Sequence, residues 1–216
     1  MMHAATLLFL LSVISGTSHA NPSWQNLKET VLQADLKAKR KGQLNLAKQA
    51  IKLADECVTT NPQEVACYYY RGQATGLYYE VVMFGYQKGV VAMIADWQKA
   101  VELDPTFDHG GPYRLMGELF TALPKYFGTK NLRQDLVKAE DYLRKAIEID
   151  PNYPTNHFDL AELLIKAKRK PEALEAFEKA QNLTAQWNSD PYFASWQEES
   201  KEIEEQLKGE MYGKHQ

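Results

Sequence analysis

The sequence predicts an all-α protein, a tetrad of stacked helical hairpins closed by a C-terminal capping helix, about nine helices in all. Three observations predict it. Ala139, Leu143 and Ala146 recur thirty-four residues later as Ala173, Phe177 and Ala180. Pro62, Pro105 and Pro151 each fall five residues after a small residue (Cys57, Ala100 and Ala146) that ends a segment of 3.6-residue periodicity. Each of these prolines forbids continuation of the helix before it. No Gly/Ser linker or low-complexity tract interrupts the pattern. A fixed period of this length marks repeated helical pairs that bury their apolar faces only by stacking. The small residues let two helices of a pair approach closely, and the large one fills the gap between pairs.

The chain opens with twenty residues that contain no Asp, Glu, Lys or Arg. An apolar run over residues 6–14 ends in Ser18-His19-Ala20, small residues at cleavage-type positions. This predicts a secretory signal peptide over residues 1–20, removed after Ala20. The run is too short to span a bilayer. Residues 21–216 then form a single domain, exported to the periplasm or secreted. All 28 acids and 25 bases lie in that mature part, giving a net charge of −3. Nucleic-acid binding, which demands a basic footprint, is excluded on that balance.

The first hairpin is expected over residues 24–58, broken at Lys41-Gly42-Gln43. The second covers residues 63–103 and turns near Phe84-Gly85-Tyr86. The third covers residues 111–150 and the fourth residues 154–183. A helix rich in Glu and Lys over residues 191–207 supplies the polar outer face a terminal repeat needs. The proline stops are forty-three and forty-six residues apart where a regular array has thirty-four. The surplus is assigned to longer helices around residues 77–91 and to a loop over residues 124–134. Long loops in compact helical proteins are often functional, so the two middle hairpins are the specialised part.

Cys57 and Cys67 are the only cysteines. In an oxidising compartment an even pair is a disulfide candidate. Cys57 also occupies the small buried position of the repeat, where a free thiol packs as a small hydrophobe. The sequence leaves both readings open. No metal site is expected, because no histidine or second cysteine pair lies near.

The second hairpin carries Tyr68, Tyr69, Tyr70, Tyr78, Tyr79, Phe84, Tyr86 and Trp97. Three consecutive tyrosines cannot share one helix face. Two apolar runs, residues 81–84 and 90–94, bracket a hairpin tip that ought to be polar. Asp108-His109-Gly110-Gly111-Pro112-Tyr113-Arg114 opens the fifth helix, with glycines suited to close approach and a guanidinium suited to a carboxylate. These features nominate Tyr69, Tyr78, Phe84, Tyr86, Tyr113 and Arg114 as a ligand or partner site, rimmed by residues 125–134. Inter-repeat packing for the aromatics, and an ion pair between repeats for Arg114, are the structural alternatives. No His-Glu-x-x-His, Gly-x-Ser-x-Gly or phosphate-loop pattern occurs, so no catalytic residues and no cofactor are assigned and the chain is read as not an enzyme.

The phrase Ala-x3-large-x2-Ala-x4-Pro resembles the second helix and terminator of a tetratricopeptide repeat. Asn61-Pro62 with Tyr68-Tyr69-Tyr70 and Gly72, Gly110-Gly111-Pro112-Tyr113-Arg114 with Gly117, Leu123-Pro124, and Asp150-Pro151-Asn152-Tyr153 with Asn156 and Leu160-Ala161-Glu162 resemble the TatT family. These are periplasmic tetratricopeptide proteins associated with TRAP transporters. The resemblance implies a homotrimer with an apolar cleft or pore that docks to the transporter's substrate-binding subunit. Members of that family are typically lipoproteins, whereas this leader has no cysteine at the cut. The expected function is therefore that of an exported, non-enzymatic protein binding a partner and a small apolar or carboxylate ligand. The alternative is a generic periplasmic scaffold that binds a peptide or protein in its groove, with no small ligand.

Overall fold

A computed structural model describes residues 23–126, 129 and 132–212. The expected leader lies outside the described residues. Nine α-helices and one short 3-10 turn make up the regular structure of the described part. They are α1 (Ser23–Leu36), α2 (Lys41–Thr60), α3 (Val65–Val81), α4 (Tyr86–Leu103), α5 (Phe107–Ala122), α6 (Leu136–Ile149), α7 (Pro154–Lys166), α8 (Lys170–Thr184) and α9 (Phe193–Tyr212), with the 3-10 turn at Ala185–Trp187.

One terminator ends three of the four hairpins. The residue before each proline (Asn61, Asp104 or Asp150) leaves the helical region, because the proline ring disfavours α geometry in its predecessor. Each donates its N–H to the carbonyl of the small residue four back: Cys57 at 2.8 Å, Ala100 at 2.8 Å and Ala146 at 3.0 Å. One otherwise orphaned carbonyl is thereby satisfied at every end. The carboxylates of Asp104 and Asp150 then accept the N–H two residues on, from Thr106 at 2.8 Å and Asn152 at 2.9 Å. The recurring proline phrase is thus a geometric device that turns the chain into the next hairpin.

Within the hairpins the small residues lie at the contacts. Ala47, Ala50, Ala54 and Cys57 form the buried stripe of α2, and Ala173, Ala176, Phe177 and Ala180 that of α8. A Cβ at Gly117 would stand 2.5 Å from the Leu143 side chain, so α5 and α6 are as close as glycine permits. Gly72 plays the same part for Trp97, which would meet a Cβ at 2.3 Å. Cys57 and Cys67 are disulfide-bonded, tying α2 to α3 across the Asn61-Pro62 turn with Cα atoms 5.5 Å apart.

Two boundaries differ from expectation. The first break falls at residues 37–40, before Gly42, which lies inside α2. Arg40 takes the left-handed φ of 46° there. In α5 the chain enters through three left-handed residues, Asp108, His109 and Gly110, before regular helix starts at Gly111 and Pro112. The surplus length is distributed as expected: α3 and α4 are 17 and 18 residues long, and the α5–α6 connection carries the rest. The base of that connection is pinned by Gln134, which donates to the carbonyls of Pro124 at 3.2 Å and Thr121 at 3.0 Å.

The odd-numbered helices touch one another in series, α1 to α3, α3 to α5, α5 to α7 and α7 to α9. Even-numbered helices pack mainly on their hairpin partners and on the next odd helix. An inner row in close contact and an outer row spread apart curve the stack, with the odd helices on the concave side. The curve brings the ends of the chain together: the Tyr192 hydroxyl, just before α9, donates to Asp35 at the end of α1 over 3.0 Å.

Candidate functional site

Two polar features occupy the inner side of the stack. The first is a junction between the second, third and fourth hairpins, built around Arg114. Pro112 sits in the first regular turn of α5 without losing a hydrogen bond, and that turn aims Arg114 inward, where it is 4% exposed. Its guanidinium donates to the Asp108 carboxylate at 2.9 Å, the Asp108 carbonyl at 3.1 Å, the Tyr69 hydroxyl at 3.2 Å and Asn156 Oδ1 at 3.3 Å. The Tyr153 ring lies beneath it, 5.1 Å away. Tyr69 in turn donates to Asp108. Asn156 Nδ2 donates to the carbonyls of His109, Ala146 and Asp150.

The left-handed segment is what makes this junction possible. It folds Asp108 back over Arg114 and lets Gly110 lie against Ala146, where a Cβ would come within 3.0 Å of the backbone. Gly111 leaves room for the Tyr69 ring. His109 stacks on Tyr153 at 4.2 Å and bonds Asp150 at 2.7 Å. Burial opposes ionisation of Asp108, but Arg114 and Tyr69 outweigh it and hold its carboxyl below the usual carboxylate range. Burial pushes the Tyr69 hydroxyl well up, with the Asp108 charge adding to it, so it stays a donor.

The second feature is a cavity of about 400 Å³ between α1, α3, α4 and α5. Its walls are apolar, with Leu77, Tyr86, Met93, Trp97, Leu115 and Leu119 prominent among them. Asp35, Glu80 and Glu118 also line it. Two further lining groups, Gln73 Oε1 and the Tyr86 hydroxyl, are buried without a hydrogen-bond partner.

From the cavity a strip of carboxylates runs on over α7 and α9 through Asp159, Glu162 and Glu199. The helices that carry them, α7 and α9, continue the inner row from α5, and the acids raise one another's pKa values. Burial pushes Glu118 up to about 7; Arg114 opposes this more than any single neighbouring acid adds to it, and Asp35, Glu162 and Glu80 add to the rise. Burial, Glu162 and Glu118 push Glu199 up to about 8. Burial, Glu118 and Glu199 push Asp159 well above the carboxylate range, and its Oδ2 is buried without a partner. Glu118 keeps solvent access although the curving stack walls it in.

The six nominated residues divide accordingly. Tyr86 lines the cavity. Tyr69, fully buried, and Arg114 belong to the junction: the guanidinium pairs with Asp108 at the entry to its own helix and reaches the neighbouring hairpins through the neutral groups of Tyr69 and Asn156. Tyr113 stacks toward Tyr142 on α6, with ring centroids 6.2 Å apart. Tyr78 packs edge-on against Tyr79, and it is Tyr79 that lines the cavity. Phe84 stands 94% exposed at the hairpin tip. Sequence reasoning missed the carboxylates. The available signal was an acid on the first helix of every hairpin, Asp35, Glu80, Glu118 and Asp159.

Among known families, a model described as tetratricopeptide repeat matches residues 132–195. That stretch covers α6 to α8 and the start of α9. The match supports a tetratricopeptide repeat protein, and with it a protein-interaction scaffold of a type that is typically non-catalytic. No curated protein matches the chain.

Proposed function

We propose that the mature chain is an exported, non-enzymatic scaffold whose concave face binds a segment of a partner protein. The observation that carries this reading is the row of odd helices in serial contact, three of which (α1, α3 and α5) line one apolar cavity together with α4. Export is supported by the leader-like residues 1–20 and by the Cys57–Cys67 bridge, a bond that persists in oxidising compartments. The resemblance to the TatT family makes the substrate-binding subunit of a TRAP-type transporter the specific partner in this reading. The cavity supports the apolar half of a small-ligand role. A carboxylate ligand finds no support, because Arg114 is already saturated and the lining acids would repel it.

Full-length chain expressed in a Gram-negative host should reach the osmotic-shock fraction with Asn21 as its first residue. Recovery in the cytoplasm with the leader intact would overturn export. The mature chain should co-elute with a purified TRAP-type substrate-binding subunit. If it does not, while a peptide still binds the groove, the generic scaffold reading replaces the transporter one; the carboxylate-lined face is the observation that favours that second reading.

A further inference from the structure

The carboxylates of the concave face are numerous and only partly compensated. Asp35, Glu80, Glu118, Asp159, Glu162 and Glu199 come from five different helices, α1, α3, α5, α7 and α9. Arg114 lowers Glu118 and Asp159 and Lys166 lowers Glu162, but burial and the neighbouring acids outweigh both. Arg114 is spent on Asp108. Lys166 acts on Glu162 and donates to the Thr121 carbonyl at 3.3 Å. Asp35 and Glu80 accept only neutral donors, from Tyr192 at 3.0 Å and from Gln43. Like charges held this way raise one another's cost of ionisation, and a fold that keeps them usually has a use for them.

Their layout selects the kind of cation. Among the described residues no three His, Cys, Asp or Glu side chains converge as a metal would require. The carboxylates are spread along the curve, so they match an elongated polycation. Three of them line the apolar cavity, so one part of the occupant is apolar. Gln73 Oε1 and the Tyr86 hydroxyl, unpartnered in the cavity lining, mark where polar groups of the occupant would be received. Gln73 Oε1 offers an acceptor, which suits the N–H donors of Lys and Arg.

We propose that the concave face is a receptor for a basic, amphipathic segment of a partner protein: a large apolar side chain seats among Tyr86, Met93, Trp97 and Leu115, and flanking Lys or Arg side chains lie across Glu118, Asp159 and Glu199. This rests on the scaffold reading above and specifies its partner class. Recognition divides as in most pockets, with apolar walls supplying buried area and a few polar groups supplying orientation. The charges give the interaction its selectivity and its salt dependence.

The test uses the mature chain and three fluorescent peptides, one alternating Lys and Leu, one Gln and Leu, and one Glu and Leu, read by anisotropy. The Lys–Leu peptide should bind, the Glu–Leu peptide should not, and added salt should weaken the complex. Glu118→Gln with Glu199→Gln should weaken Lys–Leu binding by roughly tenfold, as expected for loss of charge pairs across an interface. Glu148→Gln with Glu175→Gln, on exposed faces of α6 and α8, should leave it unchanged. Circular dichroism checks that both variants fold. If the Gln–Leu peptide binds as tightly as Lys–Leu, or the Glu118/Glu199 variant binds it unchanged, the charge inference falls while the groove remains a peptide site. If none of the three binds, the concave-face scaffold reading falls as well.

Discussion

The Arg114 junction and the carboxylate strip both place charge on the inside of the curve, and they treat it in opposite ways. At the junction every group is spoken for: one guanidinium, one carboxylate, one hydroxyl and one amide close a network between three hairpins. Along the strip, acids accumulate with little to offset them and one oxygen is buried unpaired. A saturated polar cluster fixes geometry, while an unsaturated one is left available to another molecule. The contrast separates the residues that build this protein from those that would recognise a partner.

The comparison breaks most visibly at its centre. Arg114→Ala leaves Asp108 inside the stack without its partner and strips a donor from Tyr69 and Asn156. Removing one member of such a buried pair costs about 3–5 kcal/mol. Since Asp108 keeps a side-chain exposure of 26%, the loss should fall toward about 3 kcal/mol, read from the urea midpoint at constant slope. A midpoint unchanged within error would mean that the junction is not structural and that Arg114 is free for a ligand after all.

The Cys57–Cys67 bridge comes next. It closes a short loop, with a sequence separation of 10. Constraint of the unfolded chain by a loop of that size contributes about 2–3 kcal/mol. Reduction, or Cys57→Ala with Cys67→Ala, should lower stability by that amount, and intact mass after alkylation should show no free thiol in freshly isolated, unreduced protein. Two alkylated cysteines before reduction would refute the bridge.

The strip predicts a pH effect of definite sign. Glu118 and Glu199 are pushed up to about 7 and about 8 from an ordinary 4.5, first by burial and then by neighbouring acids. The folded protein therefore holds their protons more tightly than the unfolded chain does. Their contribution is fully present below about pH 4.5 and is lost as pH rises through about 7 to 8. The thermal midpoint of the wild type should fall across that window, and Glu118→Gln with Glu199→Gln should flatten the fall. His157, lowered mainly by burial, acts in the reverse direction, but it is present in both proteins and cancels from the difference. A variant with the same pH slope as the wild type would remove the strip from the account.

How much of this was legible follows from the same contrast. The hairpins could be read because their determinants are local: a small residue and a proline at fixed spacing, with Asp104 or Asp150 closing the turn. Gly72 and Gly117 could be placed because each faces its own hairpin partner. Tyr69 drew notice through the run of three tyrosines and Arg114 through the Gly110-Gly111-Pro112 entry into α5, but their partners Asp108 and Asn156 are set by a left-handed segment and by the next hairpin. The strip was easily passed over because its members, except for the neighbours Asp159 and Glu162, are about forty residues apart and each alone reads as a solvated helix face. Only the curvature of the stack brings them together.

The smallest effect tests the hairpin tip, where two large apolar side chains stand exposed side by side. Met83 and Phe84 are 81% and 94% exposed, on a turn whose Gly85 takes a φ of 77°. Phe84 makes so little contact within the chain that Phe84→Ser should change monomer stability by less than about 0.5 kcal/mol. Its exposure instead marks a surface that another molecule would cover. If the homotrimer implied by the family resemblance forms through this tip, the variant should elute later than the wild type in size-exclusion chromatography with its helicity intact. The basic-peptide affinity should not change, since Phe84 lies outside the cavity lining whereas Met83 belongs to it. A Phe84→Ser variant that loses stability on the scale of the Arg114 variant would place the tip in the core, and the division between building and recognising residues would have to be redrawn there.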